Sequence, residues 1–179
     1  MIELRKVTKN ADCLDDLEAI NREAIPECER NSLDDMMDTG AEVLGIFLDG
    51  SPVGFFALRY YQSICYLAYF AVRRDLRSKG IGSRALRKLI EDNSRFQMVV
   101  EYENPDAGGT DDMQARRKAF YLRNGFYETG WYSFYDETDF EIACTAPVFD
   151  IEAFTAFTKH LSTFITDHIP KPYRKETKG

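Results

Sequence analysis

Two rhythms of apolar positions alternate along the chain, one with the period of two that marks strands and one with the 3.6-residue period of helices. Ile2–Val7 reads as a first strand. Leu14, Leu17 and Ile20, with Ala24 one turn on, predict a first helix that must end near Pro26. A shorter helix is predicted over Leu33–Met37. Val43–Leu48 and Val53–Leu58 are apolar runs separated by Asp49-Gly50-Ser51-Pro52, and the Asp-Gly pair predicts a tight antiparallel hairpin. Tyr66–Val72 is rich in aromatic and β-branched residues, which predicts a strand covered on both faces.

Beyond Val72, Ala85, Leu86, Leu89 and Ile90 fall on one face of a helix while Arg84, Arg87 and Lys88 fall on the other. Phe96–Val100 predicts a short strand leading into Glu101-Tyr102-Glu103 and the loop 104–109. Thr110, with Asp111 and Asp112 in the first turn, is a helix start, and Asn124-Gly125 is a left-handed stop. Tyr127–Tyr135 and Phe140–Cys144 read as a second hairpin. Phe154, Phe157, Leu161, Phe164 and Ile165 recur at helical spacing and predict a C-terminal helix over about 149–169, before a polar, basic tail over 170–179 that is expected to be disordered. No repeat, low-complexity tract or linker interrupts the chain, so residues 1–179 are expected to form one domain with its core in about 1–148.

Composition supports one well-filled core: 179 residues, 44% of them hydrophobic and 13% aromatic. No apolar run reaches the roughly 20 residues of a membrane span, and Met1–Lys6 lacks a signal-peptide apolar region, so a cytoplasmic protein that binds no membrane is expected. Cys13, Cys28, Cys65 and Cys144 are scattered without a C-x-x-C pair, which predicts reduced, mostly buried thiols and no metal site. A net charge of -7 argues against general nucleic-acid binding. Residues 73–88 are an island of opposite sign, with seven basic residues against the single acid Asp75.

That island contains Gly80-Ile81-Gly82-Ser83-Arg84-Ala85, which satisfies the G-x-G-x-x-A spelling of a dinucleotide-binding turn, and Glu101 stands 19 residues beyond Gly82 where a ribose ligand would be. The fingerprint requires its first glycine directly after a strand. Seven residues, Arg73–Lys79, separate Val72 from Gly80, so the dinucleotide reading fails. The underlying chemistry survives: a glycine-rich turn opening a helix presents backbone N–H groups and a favourable dipole to an anion. The surrounding arginines and lysines suit a ligand with several phosphates.

Tyr69-Phe70-Ala71-Val72, Arg77-Ser78-Lys79-Gly80-Ile81-Gly82 and Tyr121-Leu122-Arg123-Asn124-Gly125-Phe126 together resemble the GNAT superfamily of acetyl-CoA-dependent N-acetyltransferases. The phosphate motif [R/Q]-x-x-G-x-[G/A] follows a strand ending in a hydrophobic-Ala-Val and a basic loop, as in that family. The resemblance implies an α/β (α+β) GNAT fold, with a mixed sheet of six or seven strands, splayed central parallel strands and flanking helices. It implies acetyl-CoA as cosubstrate and no metal. Phe70, Ala71 and Val72 would meet the pantetheine, with backbone groups of Phe70 and Val72 pairing to its amides. Arg77, Ser78, Lys79, Gly80, Ile81, Gly82 and Ser83 would hold the pyrophosphate, with Lys79 and Arg84 side chains reinforcing. Gln114 stands where relatives often place a CoA-contacting asparagine.

The implied reaction is direct attack of an amine on the thioester, which requires loss of a proton from the ammonium, an oxyanion donor and protonation of the thiolate. An N–H near Phe70 is the expected oxyanion donor, and Tyr121 the expected acid. Many relatives carry a glutamate base on the strand before the phosphate loop, and Tyr66–Val72 contains no acid. Glu101 and Glu103, on the facing strand, are the candidate bases, one of them expected to face the gap; a base acting through water, or no base, fits equally. His160 and His168 lie outside the matched region and are expected to pack or sit at the surface. Clusters of acids at Glu27, Glu29, Asp34, Asp35 and Asp38, and at Glu101, Glu103, Asp106, Asp111 and Asp112, favour a small cationic amine or a lysine-type substrate. A non-catalytic acyl-CoA-binding module or sensor is the alternative reading. The aromatic C-terminal helix is expected either to close the fold or to make a homodimer.

Overall fold

Asp49 and Gly50 both adopt positive φ, 49° and 87°, the backbone of a tight turn whose twist matches that of its flanking strands. The turn joins β2 (Glu42–Leu48) to β3 (Ser51–Tyr61), as the Asp-Gly pair predicts. The computed structural model describes residues 1–105 and 112–175, and the predicted helix start at Thr110 lies outside them. Among the described residues there are eight strands and five α-helices.

Two compact units are distinguished, Met1–Tyr60 with Tyr66–Asp92, and Tyr61–Cys65 with Asn93–Gly179. In the first, β1 (Ile2–Lys6) runs antiparallel to β2 with Ile2 opposite Leu48, β2 runs antiparallel to β3 with Glu42 opposite Leu58, and β4 (Ile64–Val72) is the neighbour of β3. Helices α1 (Leu14–Ala24) and α2 (Leu33–Asp38) lay Leu17, Ile20, Leu33 and Met36 against Val43, Phe55, Ala57 and Ala71. Helix α1 stops at Ala24 ahead of Pro26, and the Ser32 hydroxyl caps α2 by accepting from the Asp35 amide at 3.0 Å. Helix α3 (Ile81–Asp92) buries Ala85, Leu86 and Leu89 of the apolar face read from the sequence, together with Ile81, while Ile90 is partly buried and Arg84 and Arg87 are exposed. Gly54 brings β3 hard against β4: a Cβ there would stand 2.3 Å from the Ala71 carbonyl oxygen.

In the second unit the strand order is β5 (Gln97–Glu103), β7 (Thr138–Cys144), β6 (Tyr127–Tyr135), β8 (Pro172–Tyr173), and each pairing is antiparallel. Helix α4 (Asp112–Arg123) ends at a left-handed Gly125 with φ 100°, the stop predicted from Asn124-Gly125. Lys118 fastens α4 to the sheet, reaching Glu141 on β7 at 2.9 Å and Glu128 on β6 at 2.5 Å. Helix α5 (Ile151–Leu161) is shorter than expected and buries Phe154, Phe157 and Leu161 within the chain; Phe164, which completes the sequence stripe, lies beyond it and is half exposed. His160 stacks on Tyr61 at 4.2 Å between centroids, a packing role.

Within the segment expected to be a disordered tail, Pro172–Tyr173 forms the short strand β8. Pro172–Tyr173 pairs with Ser133 and Tyr132. The Tyr173 hydroxyl donates to Asp139, Lys175 pairs with the same carboxylate at 3.2 Å, and the Lys175 ammonium lies 4.0 Å from the centroid of the Tyr132 ring. A basic stretch with few apolar residues is held here by partners on β6 and β7 that lie distant in sequence. None of the four cysteines, all of them among the described residues, is in a disulfide; Cys65 and Cys144 are buried, Cys13 is partly so and Cys28 is exposed.

Candidate active site

The predicted phosphate-binding residues are gathered at one place in the first unit. After Val72 the chain makes a 3-10 turn over Arg74–Leu76, which is tied down by the Arg74 amide donating to Glu23 at 3.0 Å and by an Arg73–Asp75 ion pair at 2.7 Å. Arg77 folds back so that its Nε donates to the Val72 carbonyl at 3.2 Å. The motif arginine therefore closes the loop onto the end of β4. Ser78 and Gly80 are both left-handed, with φ 61° and 76°. A serine there costs conformational energy that a glycine does not, and strain of this kind concentrates at ligand clamps.

Arg77, Ser78, Lys79 and Gly80 are exposed, and no atom lies within 4 Å of where a Gly80 Cβ would be. The Arg84 amide donates to the Gly80 carbonyl at 3.1 Å, so the helix begins at the glycine, and by helix geometry the N–H groups of Ile81, Gly82 and Ser83 point out of its end. Ile81 anchors the turn by burying its side chain. An open, positively charged helix N-terminus on a pinned loop is suited to phosphate oxygens. On β4, Phe70 stacks on Phe56 at 4.5 Å and 27°, and Ala71 is buried behind it.

The second unit holds the residues assigned to proton transfer. Tyr121 is buried, at 7% exposure, with its ring stacked on Tyr102 and edge-on to Phe120 and Phe126 at 5.4 Å each. Burial pushes its phenol up to about 12, with the Arg117 cation acting weakly the other way. The Tyr102 hydroxyl is fully buried without a hydrogen-bond partner among the described residues, and burial first, then Glu141 and Glu128, hold it above the ordinary phenol range.

Glu101 and Glu103 are two residues apart on β5 and so project from one face of it, both of them rather than one, with Tyr102 on the other. Each carboxylate already has a partner: the Ser133 hydroxyl donates to Glu101, and the Gln114 amide donates to Glu103 at 2.7 Å. Gln114 is thereby brought to Glu103, an arrangement the reading of Gln114 as a CoA contact did not foresee. Tyr102 and Ser133 were missed because strand register and helix docking, which no local spacing reveals, bring them to Tyr121 and Glu101. Among the described residues no group of three or more His, Cys, Asp or Glu is placed to hold a metal, and no helix is long and apolar enough to cross a membrane.

Residues 10–126 match the family model described as Acetyltransferase (GNAT) family. Solved structures share the fold. A GNAT-family protein from Bacteroides thetaiotaomicron superposes with a TM-score of 0.73 at 23% identity, covering 90% of this chain and 96% of its own. The ribosomal-protein-S18-alanine N-acetyltransferase of Escherichia coli gives 0.62 at 17% identity, covering 83% and 96%. An aminoglycoside 6'-N-acetyltransferase complexed with coenzyme A gives 0.61 at 16% identity, covering 83% and 99%. No curated protein sequence matches the chain significantly.

Proposed function

Because the chain belongs to the acetyltransferase (GNAT) family, and is thus an acyltransferase, we propose that it moves an acetyl group from acetyl-CoA to a primary amine by direct attack. The observation that carries this reading is the loop from Arg77 to Gly82, left-handed at Ser78 and Gly80, exposed from Arg77 to Gly80, and opening α3. Its backbone N–H groups and those of Ile81–Ser83 bind the pyrophosphate, with Lys79 and Arg84 adding charge. The coenzyme A bound to the aminoglycoside acetyltransferase that shares this fold supports acetyl-CoA as the cosubstrate.

Phe70, Ala71 and Val72 line the pantetheine, and an N–H near Phe70 faces the thioester oxygen. The amine nitrogen attacks the carbonyl carbon, the carbon–sulfur bond breaks, the nitrogen loses a proton and the sulfur gains one. Tyr121, with its phenol near 12, stays protonated at neutral pH and donates a hydrogen bond to the departing sulfur. Glu101 or Glu103 receives the ammonium proton, directly or through water. The acids of the α1–α2 loop and α2, Glu27, Glu29, Asp34, Asp35 and Asp38, are exposed and favour a cationic acceptor. The test is release of free thiol from acetyl-CoA with a panel of amines over a wide pH range: amine-dependent release and an acetylated product are expected, and coenzyme A binding without either overturns the proposal.

A further inference from the structure

Arg59, on β3, is a half-buried cation in the first unit. One of its terminal nitrogens donates to the Thr39 carbonyl and the other to the Thr39 hydroxyl at 2.8 Å, both at the end of α2. Thr39 is itself fixed, because its hydroxyl donates to the Asp35 carbonyl at 2.9 Å. A guanidinium carries five N–H donors, so these two bonds leave three to be satisfied. Among the described residues no carboxylate forms an ion pair with Arg59; the nearby groups that favour its charge are the Tyr66 and Tyr69 phenols, while burial disfavours it. A half-buried charge is favoured by an opposite one, and the carbonyl end of the short helix α2 supplies only a partial one.

The place of Arg59 along the strands says whose charge it could meet. Gly54 on β3 packs against Ala71 and Val72 at the phosphate-loop end of β4. Arg59 lies five residues further along β3, on the order of 16 Å away at the rise of a strand, and beside Tyr66 and Tyr69. The phosphates of the coenzyme are therefore at the other end of β4. Tyr69 adjoins Phe70 in sequence and is held in place, accepting from the Asn31 amide at 3.1 Å and donating to the Glu29 carbonyl at 3.0 Å.

We propose that Arg59 is the receptor for a carboxylate carried by the acceptor amine, so that the acceptor is zwitterionic, with its anionic group several bonds from the reacting nitrogen. The planar guanidinium fork matches a carboxylate with two parallel hydrogen bonds. The exposed acids of the α1–α2 loop, Glu27 and Glu29, draw in the ammonium, and Arg59, anchored on Thr39 at the end of α2, holds the carboxylate. This deepens the acetyl-transfer reading and rests on it for the identity of the acceptor.

The experiment uses amines that differ only by a carboxylate: 6-aminohexanoate with pentylamine, and L-lysine with cadaverine. Each is titrated calorimetrically into the protein loaded with coenzyme A and assayed in parallel for turnover of acetyl-CoA. A charge-assisted bidentate contact should make the carboxylated member bind about 10- to 100-fold more tightly. Arg59→Gln should bring each pair within about twofold through KM, and Arg59→Lys should retain part of the preference, with coenzyme A affinity unchanged in both. Members of a pair binding alike in the wild type, no measurable binding of either carboxylated amine, or a preference that survives Arg59→Gln would overturn the proposal. Should the glutamine variant not fold, the wild-type pairs and the lysine variant decide. A calorimetric preference without turnover of any amine sinks the acetyl-transfer reading and leaves the carboxylate site standing; turnover without a preference sinks the site alone.

Discussion

The rings of Tyr121 and Tyr102 lie nearly parallel, 10° apart with their centroids 5.9 Å from each other, both buried. The stack joins the helix α4 to the strand β5 and sets the direction of the Tyr121 hydroxyl.

Removing that hydroxyl tests its role. Tyr121→Phe keeps the stack and is expected to lower kcat about 100-fold while changing coenzyme A affinity less than about twofold. Steady-state kinetics beside a binding titration separates the two quantities, and equal kcat would remove Tyr121 from the chemistry.

The same burial makes the fold sensitive to alkali. The Tyr121 phenol is held at about 12 in the fold against about 10 when exposed, so the protonated form is favoured by folding. Its contribution is complete below pH 10 and is lost as the pH rises from there through 12, by about 1.4 kcal/mol per pH unit. Urea midpoints measured from pH 8 to 11 should fall above pH 10, less steeply in Tyr121→Phe.

Gly80 sits in open space with φ 76°, so an alanine there meets no atom and is penalised by its backbone alone. Gly80→Ala is expected to cost about 1–2 kcal/mol, either as lower stability or as a loop that relaxes away from the left-handed turn. In the second case the loss reads as about tenfold weaker coenzyme A binding with an unchanged melting temperature.

At Gly54 the penalty has the opposite origin. An added Cβ would lie 2.3 Å from the Ala71 oxygen and 3.2 Å from the Val72 Cα, both of them backbone atoms that cannot rotate aside. Gly54→Ala should lower stability by about 1–3 kcal/mol or more and weaken coenzyme A binding by displacing Ala71 and Val72. Thermal unfolding and a coenzyme A titration check both.

Asp139 gathers the Tyr173 hydroxyl, the Asn104 amide at 2.9 Å and the Lys175 ammonium. Burial alone would raise its carboxyl, but these three donors outweigh it and hold the group below the usual range. The stabilisation is present above the exposed value near 4 and lost as the pH falls through the lowered one. Asp139→Ala should cost about 1–3 kcal/mol at pH 7 and flatten the acid limb of the stability curve.

Much of this was legible where local chemistry dictates the outcome. The turn at Asp49-Gly50, the end of α1 before Pro26, the stop at Gly125 and the buried face of α3 are each decided by residues within one or two turns of chain. The exposed turn that opens α3 was legible for the same reason, since Arg77, Gly80 and Gly82 are neighbours in sequence. The use of Arg77 to bind the Val72 carbonyl, the common face of Glu101 and Glu103, the Gln114–Glu103 bond and the ordering of Tyr173 and Lys175 depend on register and docking between distant segments. Helix α5 ends at Leu161 although the apolar period continues to Phe164, because packing rather than periodicity decides how many turns are kept.

The two residues of β8 also change what the rim of the sheet exposes. A strand at the rim of a sheet exposes unused main-chain donors and acceptors that invite another chain to add on. Pro172–Tyr173 occupies that position beside Tyr132 and Ser133, and the proline, lacking an N–H, offers nothing from its own nitrogen to a further strand. Pro172 and Tyr173 thus cover main-chain groups of β6 at Tyr132 and Ser133 that would otherwise be open.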